Sequence, residues 1–139
     1  MIALDADVLT EVLAGNQRLS ERAAEYPVYE QGVPVIFIEE ILRGRLNSIR
    51  QAEAAKSKLS IERAYELFQD TLNAVREIIV LPYSAEAEAL HQSWRQQKIR
   101  VGTHDLRIAA ICVVGSIKLI TRNRRDFDQI PGLLLEVWE

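Results

Sequence analysis

At 139 residues, 48% hydrophobic and 27% charged, the chain has the composition of a folded protein with room for an ordinary core, which excludes a disordered segment. No apolar stretch is long enough to span a bilayer and no signal-peptide pattern opens the chain. A lone Cys112 excludes an internal disulfide and a cysteine zinc site, so a cytoplasmic protein without membrane attachment is expected. A formal charge of −3 argues against charge-driven coating of nucleic acid, yet leaves a nuclease open, because metal-binding carboxylates add negative charge while local arginines hold phosphates.

Met1–Leu4 is a short apolar run with a charged stop and reads as a buried first strand. Val8–Leu13 reads as a helix ending near Gly15, and Arg18–Tyr26 as a second short helix. Val33–Ile38, β-branched and aromatic after Gly32, predicts the second strand, with a helix beginning near Glu39. Leu46–Arg76 is rich in helix formers and free of proline and glycine. It predicts two helices broken near Lys58–Ser60, with Ser60 as the second cap; Ala64, Leu67, Phe68, Thr71, Leu72 and Val75 then form one apolar face.

Ile78–Leu81 is a third strand, closed by Pro82, and Ser84 opens a helix to about Gln97. Lys98–His104 reads as a basic loop, and Leu106–Val114 as a helix apolar nearly all round, ended by Gly115. Ile117–Ile120 is a fourth strand, and Leu133–Val137 a fifth at the sheet edge. No repeat, low-complexity tract or linker divides residues 1–139, so one domain is expected. Strands alternating with helices predict an α/β fold with a parallel sheet flanked by helices.

Three acids stand where a strand should end or a helix begin: Asp5, Glu40 and Asp105. Each has a plain structural reading. Asp5 or Asp7 suits a helix cap, and Glu40 and Asp105 suit the first turn of a helix through its dipole. Together they carry more. In a parallel sheet the strand ends converge on one crevice, and carboxylates gathered there call for a hard cation such as Mg²⁺ or Mn²⁺. Thr121 and Asn123, at the end of the fourth strand, are placed to hold a water or a neighbouring carboxylate.

Four segments carry a family resemblance: Leu-Asp-Ala-Asp at 4–7, Glu-Ile-Leu-Arg-Gly at 40–44, Gly-Thr-His-Asp-Leu-Arg-Ile-Ala-Ala at 102–110, and the stretch from Leu119 to Leu133. In this order and spacing they resemble PIN-domain nucleases, most closely the VapC-type toxins of bacterial toxin–antitoxin pairs. The resemblance runs from Met1 to about Trp138. It implies a three-layer α/β/α fold around a four- to five-stranded parallel sheet. It also implies Mg²⁺- or Mn²⁺-dependent cleavage of tRNA, rRNA or mRNA, a VapB-like antitoxin partner and a homodimer.

Carried over by position, Asp5, Glu40 and Asp105 match the family's first three acids, and Asn123 falls where many members have a fourth. Glu39 competes with Glu40, which better fits the spacing to Arg43-Gly44. Asp7 and Thr121 would stand behind the ligands, and Ala6 replaces the usual hydroxyl residue. Asp126 is read as structural.

Arg122, Arg124 and Arg125 at the end of the fourth strand, Lys98 and Arg100 in the loop before Asp105, and Arg43 are expected to contact RNA phosphates; the competing reading is a solvated basic face or internal carboxylate partners. His104 is read as a surface-loop residue, His91 as partly buried structure, Cys112 as inert core and Trp138 as packing. The 46–76 helical pair is the expected partner surface. Two rivals remain. One is a PIN-fold binding module without catalysis. The other is a phosphohydrolase for small phosphoesters, in which attack by Asp5 would leave a covalent phosphate.

Overall fold

The computed structural model describes residues 1–139 and contains one sheet of five parallel strands. Strand β1 (Ile2–Leu4) leads to helices α1 (Ala6–Leu13) and α2 (Gln17–Ala24), then to β2 (Gln31–Pro34), α3 (Val35–Glu53) and α4 (Ile61–Arg76). After these come β3 (Ile79–Leu81), α5 (Ala85–Gln96), α6 (Thr103–Gly115), β4 (Lys118–Thr121) and β5 (Leu135–Val137). Short 3₁₀ turns lie at Val28–Glu30 and Arg124–Asp126.

The lateral order is β3-β2-β1-β4-β5, so β1 is central and β5 an edge, as expected. The chain steps outward from β1 to β2 and β3, then crosses back to β4 on the far side of β1. Right-handed crossovers in opposite directions place helices on opposite faces, which builds the three layers. The direction reverses between β1 and β4, paired through Leu4 and Ile120, and the carboxyl ends of these two strands open the crevice that such sheets use for ligands.

Local chemistry explains the boundaries. Asp5 closes the ladder, its N–H donating to the Ile120 carbonyl at 3.0 Å, and its side chain then caps α1. Gly15, at φ +87°, turns the chain toward α2, whose cap is Asn16, accepting from the Leu19 N–H at 3.1 Å. Ser60 and Ser84 cap α4 and α5 as read from the sequence. The break before α4 is longer than expected, because α3 ends at Glu53 and Ala55 takes a left-handed turn at φ 55°.

The second strand is displaced from its predicted place. β2 pairs from Gln31 and Gly32 onward, and α3 starts at Val35 rather than near Glu39. Pro34 ends the strand in extended geometry, and the helix that follows drives Ile36, Phe37 and Ile38 into the core. Burial on several sides overrides the strand preference of these β-branched and aromatic residues. Gly32, which reads as a breaker, is a ladder residue. A Cβ there would stand 2.8 Å from Leu81, so the strand accepts only glycine without displacing that side chain.

Two smaller corrections bear on the site. The basic loop, read as running to His104, ends at Gly102, and α6 begins at Thr103, which makes His104 helical. β5 is shorter than predicted, beginning at Leu135.

One core of 25 buried residues joins the sheet to the helices, with Ile108 to Cys112 of α6 at its centre. Each large apolar side chain buried there contributes roughly 1.5–3 kcal/mol. The far end of the α3–α4 hairpin has its own small cluster, Ile49, Ala52 and Ala64 with Phe68 against it. His91 lies deeper than expected, only 1% exposed, with Nδ1 3.1 Å from Glu88. Cys112 is inert as expected, its thiol pushed up to about 12 by burial. No helix is long and apolar enough to cross a membrane.

Candidate active site

The site begins with Asp5, which caps α1 from the end of the central strand. It is 7% exposed at the end of the central strand. Its Oδ1 accepts the Val8 N–H at 2.9 Å, capping α1, and its Oδ2 accepts the hydroxyl of the fully buried Thr121. Thr121 Oγ1 in turn accepts the Asn123 N–H at 3.1 Å, tying the turn after β4 to the end of β1. Burial pushes the Asp5 carboxyl above its ordinary value, although both hydrogen bonds pull it down. Asp7, exposed one turn-start away, adds to the upward push by charge. With both oxygens engaged and almost no exposure, Asp5 is poorly set for the nucleophilic attack that a phosphoester rival requires.

Asp105, in the first turn of α6, is the electrostatic centre. Its carboxyl is pushed up from 3.8 to about 6, first by burial, then by Asp126 and Glu40, with a smaller push from Asp5; only His104 among these neighbours favours the charged form. Glu40 and Asp5, read from two other segments, therefore both act on Asp105 through space. Asp126 joins them. The Asp-Phe pair at 126–127 reads as structural in the sequence, although Asp126, three residues beyond Asn123, could supply the charge that Asn123 lacks. Asn123 Nδ2 donates to Asp126 at 3.0 Å, and its Oδ1 accepts the Arg125 N–H at 3.1 Å.

Glu40 and Glu39 separate clearly. Glu40 Oε1 accepts from His104 Nδ1 at 2.8 Å, and its charge acts on Asp105. Glu39 is ion-paired one turn along α3 with Arg43 and lies 3.9 Å from His104 Nε2. His104 thus bridges α6 to α3, a role that depends on its being helical and that the loop reading missed. Beside it, a groove of about 910 Å³ runs along α3 past Arg43, Asn47 and Arg50.

Three of the arginines predicted to meet phosphates have internal partners. Arg122 lies 3.7 Å from Glu11, Arg124 3.7 Å from Asp128, and Arg43 is held by Glu39. Trp94 and Trp138 are buried and have no free face for a base; Trp138 packs by Tyr26 under the Arg22 guanidinium, 5.0 Å from its ring centroid.

The donor set is entirely oxygen, which matches a hard divalent cation rather than zinc or copper. Asp105 is pushed up to about 6 by burial and then by the charges of Asp126 and Glu40; a cation among these acids would relieve the charge part, and by that measure the residues fit. As they stand, no three acidic, imidazole or thiol groups are drawn together at the spacing of a closed metal site. Glu40 is engaged with His104 and Asp5 with Thr121.

The arrangement of acids at a switch point of a five-stranded parallel sheet belongs to a known class. The PIN domain family model matches residues 2–133, and the chain belongs to that family. Among relatives, it is similar to Ribonuclease VapC1 of Rickettsia felis, 26% identical over 130 residues and covering 89% of each chain. Among solved structures, it is similar to VapBC2 from Rickettsia felis bound to a DNA fragment from their promoter, with TM-score 0.72, 22% identity and 100% of both chains covered. A toxin–antitoxin complex from Klebsiella pneumoniae matches at TM-score 0.69 and 20% identity over 96% of each chain.

Proposed function

We propose that this chain is a VapC-type endoribonuclease, residues 1–139 acting as one PIN-like domain, which hydrolyses RNA phosphodiesters with Mg²⁺ or Mn²⁺ under the control of a VapB-like antitoxin. The observation that carries this reading is the convergence of Asp126, Glu40 and Asp5 on the half-buried Asp105 at the crevice, where their charges add to burial in pushing its carboxyl up to about 6. In this assignment Asp5, Glu40 and Asp105 hold the cation, with Asn123 and Asp126 completing the rim. When bound, the cation supplies Lewis acidity and a counter-charge for the phosphate.

The chain's own residues set the stage. Thr121 and the Val8 N–H fix both oxygens of Asp5, so that ligand is orientated before any substrate arrives. His104 holds Glu40 at the crevice from the first turn of α6. Asp7 adds negative charge beside Asp5. The ribonuclease name of the Rickettsia relative and the paired solved structures support the substrate class, tRNA, rRNA or mRNA, and the antitoxin partner. Exposed Leu46, Ile61 and Tyr65 on the α3–α4 hairpin are suited to a protein partner, whether antitoxin or the second copy of a homodimer.

The test is incubation of the purified chain with a mixed tRNA and rRNA pool in Mg²⁺, Mn²⁺ or EDTA, beside Asp105→Asn. Cuts that require metal and vanish in the variant support the reading. Asn123, in place of a fourth acid, favours a second reading, a PIN-fold module that binds RNA or protein without cutting. Absence of both cleavage and cation binding would decide for that module.

A further inference from the structure

Several basic side chains compete for contact with a nucleic-acid backbone near Asp105 and β4, and their internal partners sort them. Arg122, Arg124 and Arg43 are ion-paired to Glu11, Asp128 and Glu39. Arg100 and Arg125 are placed differently. Neither has a carboxylate within the 4.0 Å of an ion pair, yet both line one polar recess of about 170 Å³ together with Asp105, Asp126 and Gln129. Arg100 reaches it from the segment between α5 and α6, and Arg125 from the 3₁₀ turn after β4. The Arg125 backbone is fixed there by its N–H bond to Asn123 Oδ1.

Two cations from separate segments therefore share a recess with two carboxylates and bond to neither. A guanidinium without an internal partner at the mouth of an acidic recess is suited to an external oxyanion, and its planar fork matches a phosphate through paired N–H bonds.

We propose that Arg100 and Arg125 clamp the RNA backbone at the phosphate next to the scissile one, aligning the strand across the acids. The substrate rests on the ribonuclease reading above. They are positioning residues, acting on affinity and register; the ion-paired Arg122, Arg124 and Arg43 contribute less.

The experiment titrates a fluorescein-labelled single-stranded RNA of about a dozen nucleotides into the full chain carrying Asp105→Asn, which prevents turnover, at several salt concentrations. Arg100→Ala and Arg125→Ala should each weaken binding roughly tenfold, the loss of one charged hydrogen-bonded contact. Each should also flatten the plot of log affinity against log salt by about 0.7, the share of one phosphate on a single strand. Lysine at either position should restore the slope without the full affinity. Arg122→Ala should change neither. Both arginines are exposed, so unaltered thermal unfolding serves as the folding control.

In the cleavage-competent chain, the two alanine variants should raise KM and leave kcat within about twofold. Affinity and slope equal to the parent's would overturn the clamp, and so would a parent that binds no RNA. A wild-type chain that fails to cut while arginine-dependent binding persists would overturn the ribonuclease reading and leave the clamp standing.

Discussion

Asp105→Asn should make the metal-free protein more stable at neutral and alkaline pH. The carboxyl is lifted from 3.8 to about 6 by burial and by the charges of Asp126, Glu40 and Asp5. A carboxyl whose folded-state value is raised contributes stability that is fully present below about 3.8. That contribution is lost as pH rises through about 6, where the folded state must ionise a group it would rather keep neutral. At full weight this displacement corresponds to about 3 kcal/mol. Asp105 is only partly buried, and solvent screening of its neighbours reduces the expected effect to about 1 kcal/mol. Asparagine keeps the shape and removes the charge.

Urea unfolding in EDTA from about pH 4 to about pH 8 should therefore show the two proteins converging at the acid end. The variant should lead by about 1 kcal/mol at the alkaline end, or about 3 °C in Tm. Saturating Mn²⁺ should invert the order, because only the wild-type chain gains fully from the ligand. A variant that is no more stable than wild type at the alkaline end, or a difference that ignores pH, would refute the electrostatic account of the crevice.

Thr121→Val should lose about 2 kcal/mol in urea unfolding, since it strips a buried partner from both Asp5 and the Asn123 N–H; Thr121→Ser should recover most of it, and a loss shared equally by serine would point to packing instead. Gly32→Ala should lower stability by roughly 1–3 kcal/mol, because the new methyl meets Leu81 at 2.8 Å between β2 and β3; an unchanged Tm would mean that Leu81 yields freely. Asn123→Asp should replace an amide bond to Asp126 by like-charge repulsion, lowering Tm in EDTA by the equivalent of about 0.5–1 kcal/mol and enlarging the gain on adding Mn²⁺. A variant indifferent to both buffers would remove position 123 from the vicinity of the cation.

Much of the architecture is legible in one dimension because the signals are local. Ser60 and Ser84 announce helices through their own side chains, and the nearly continuous apolar run of α6, interrupted by Arg107 alone between Leu106 and Val114, reads as a helix covered on several sides. Val35–Ile38 misleads for an equally physical reason. Once a helix start is buried, it selects the same β-branched and aromatic residues as a strand, and Pro34 serves as the end of one or the beginning of the other. The start of α6 is hidden because Gly102 occupies its cap position without a side-chain bond, and that single uncertainty moved His104 from a helix that touches Glu40 to a loop that would not.

The same distinction governs the site. Asp5, Glu40 and Asp105 sit at or near element ends, and a parallel fold brings strand ends and helix starts to one edge whatever the side chains do. Their neighbourhood was therefore open to inference from order and spacing. The arginines were not, because a long flexible cation takes whichever carboxylate the packing offers. Arg122 finds Glu11 on α1, and Arg43 finds Glu39 on its own helix, while Arg100 and Arg125 are left facing the recess that holds Asp105 and Asp126. An acidic crevice repels the polyanion it would cut unless cations stand at its mouth. Which arginines remain free to do so is decided by pairings that only the folded chain makes, and there the unpaired side chains, rather than the densest basic run, mark where a phosphate can be held.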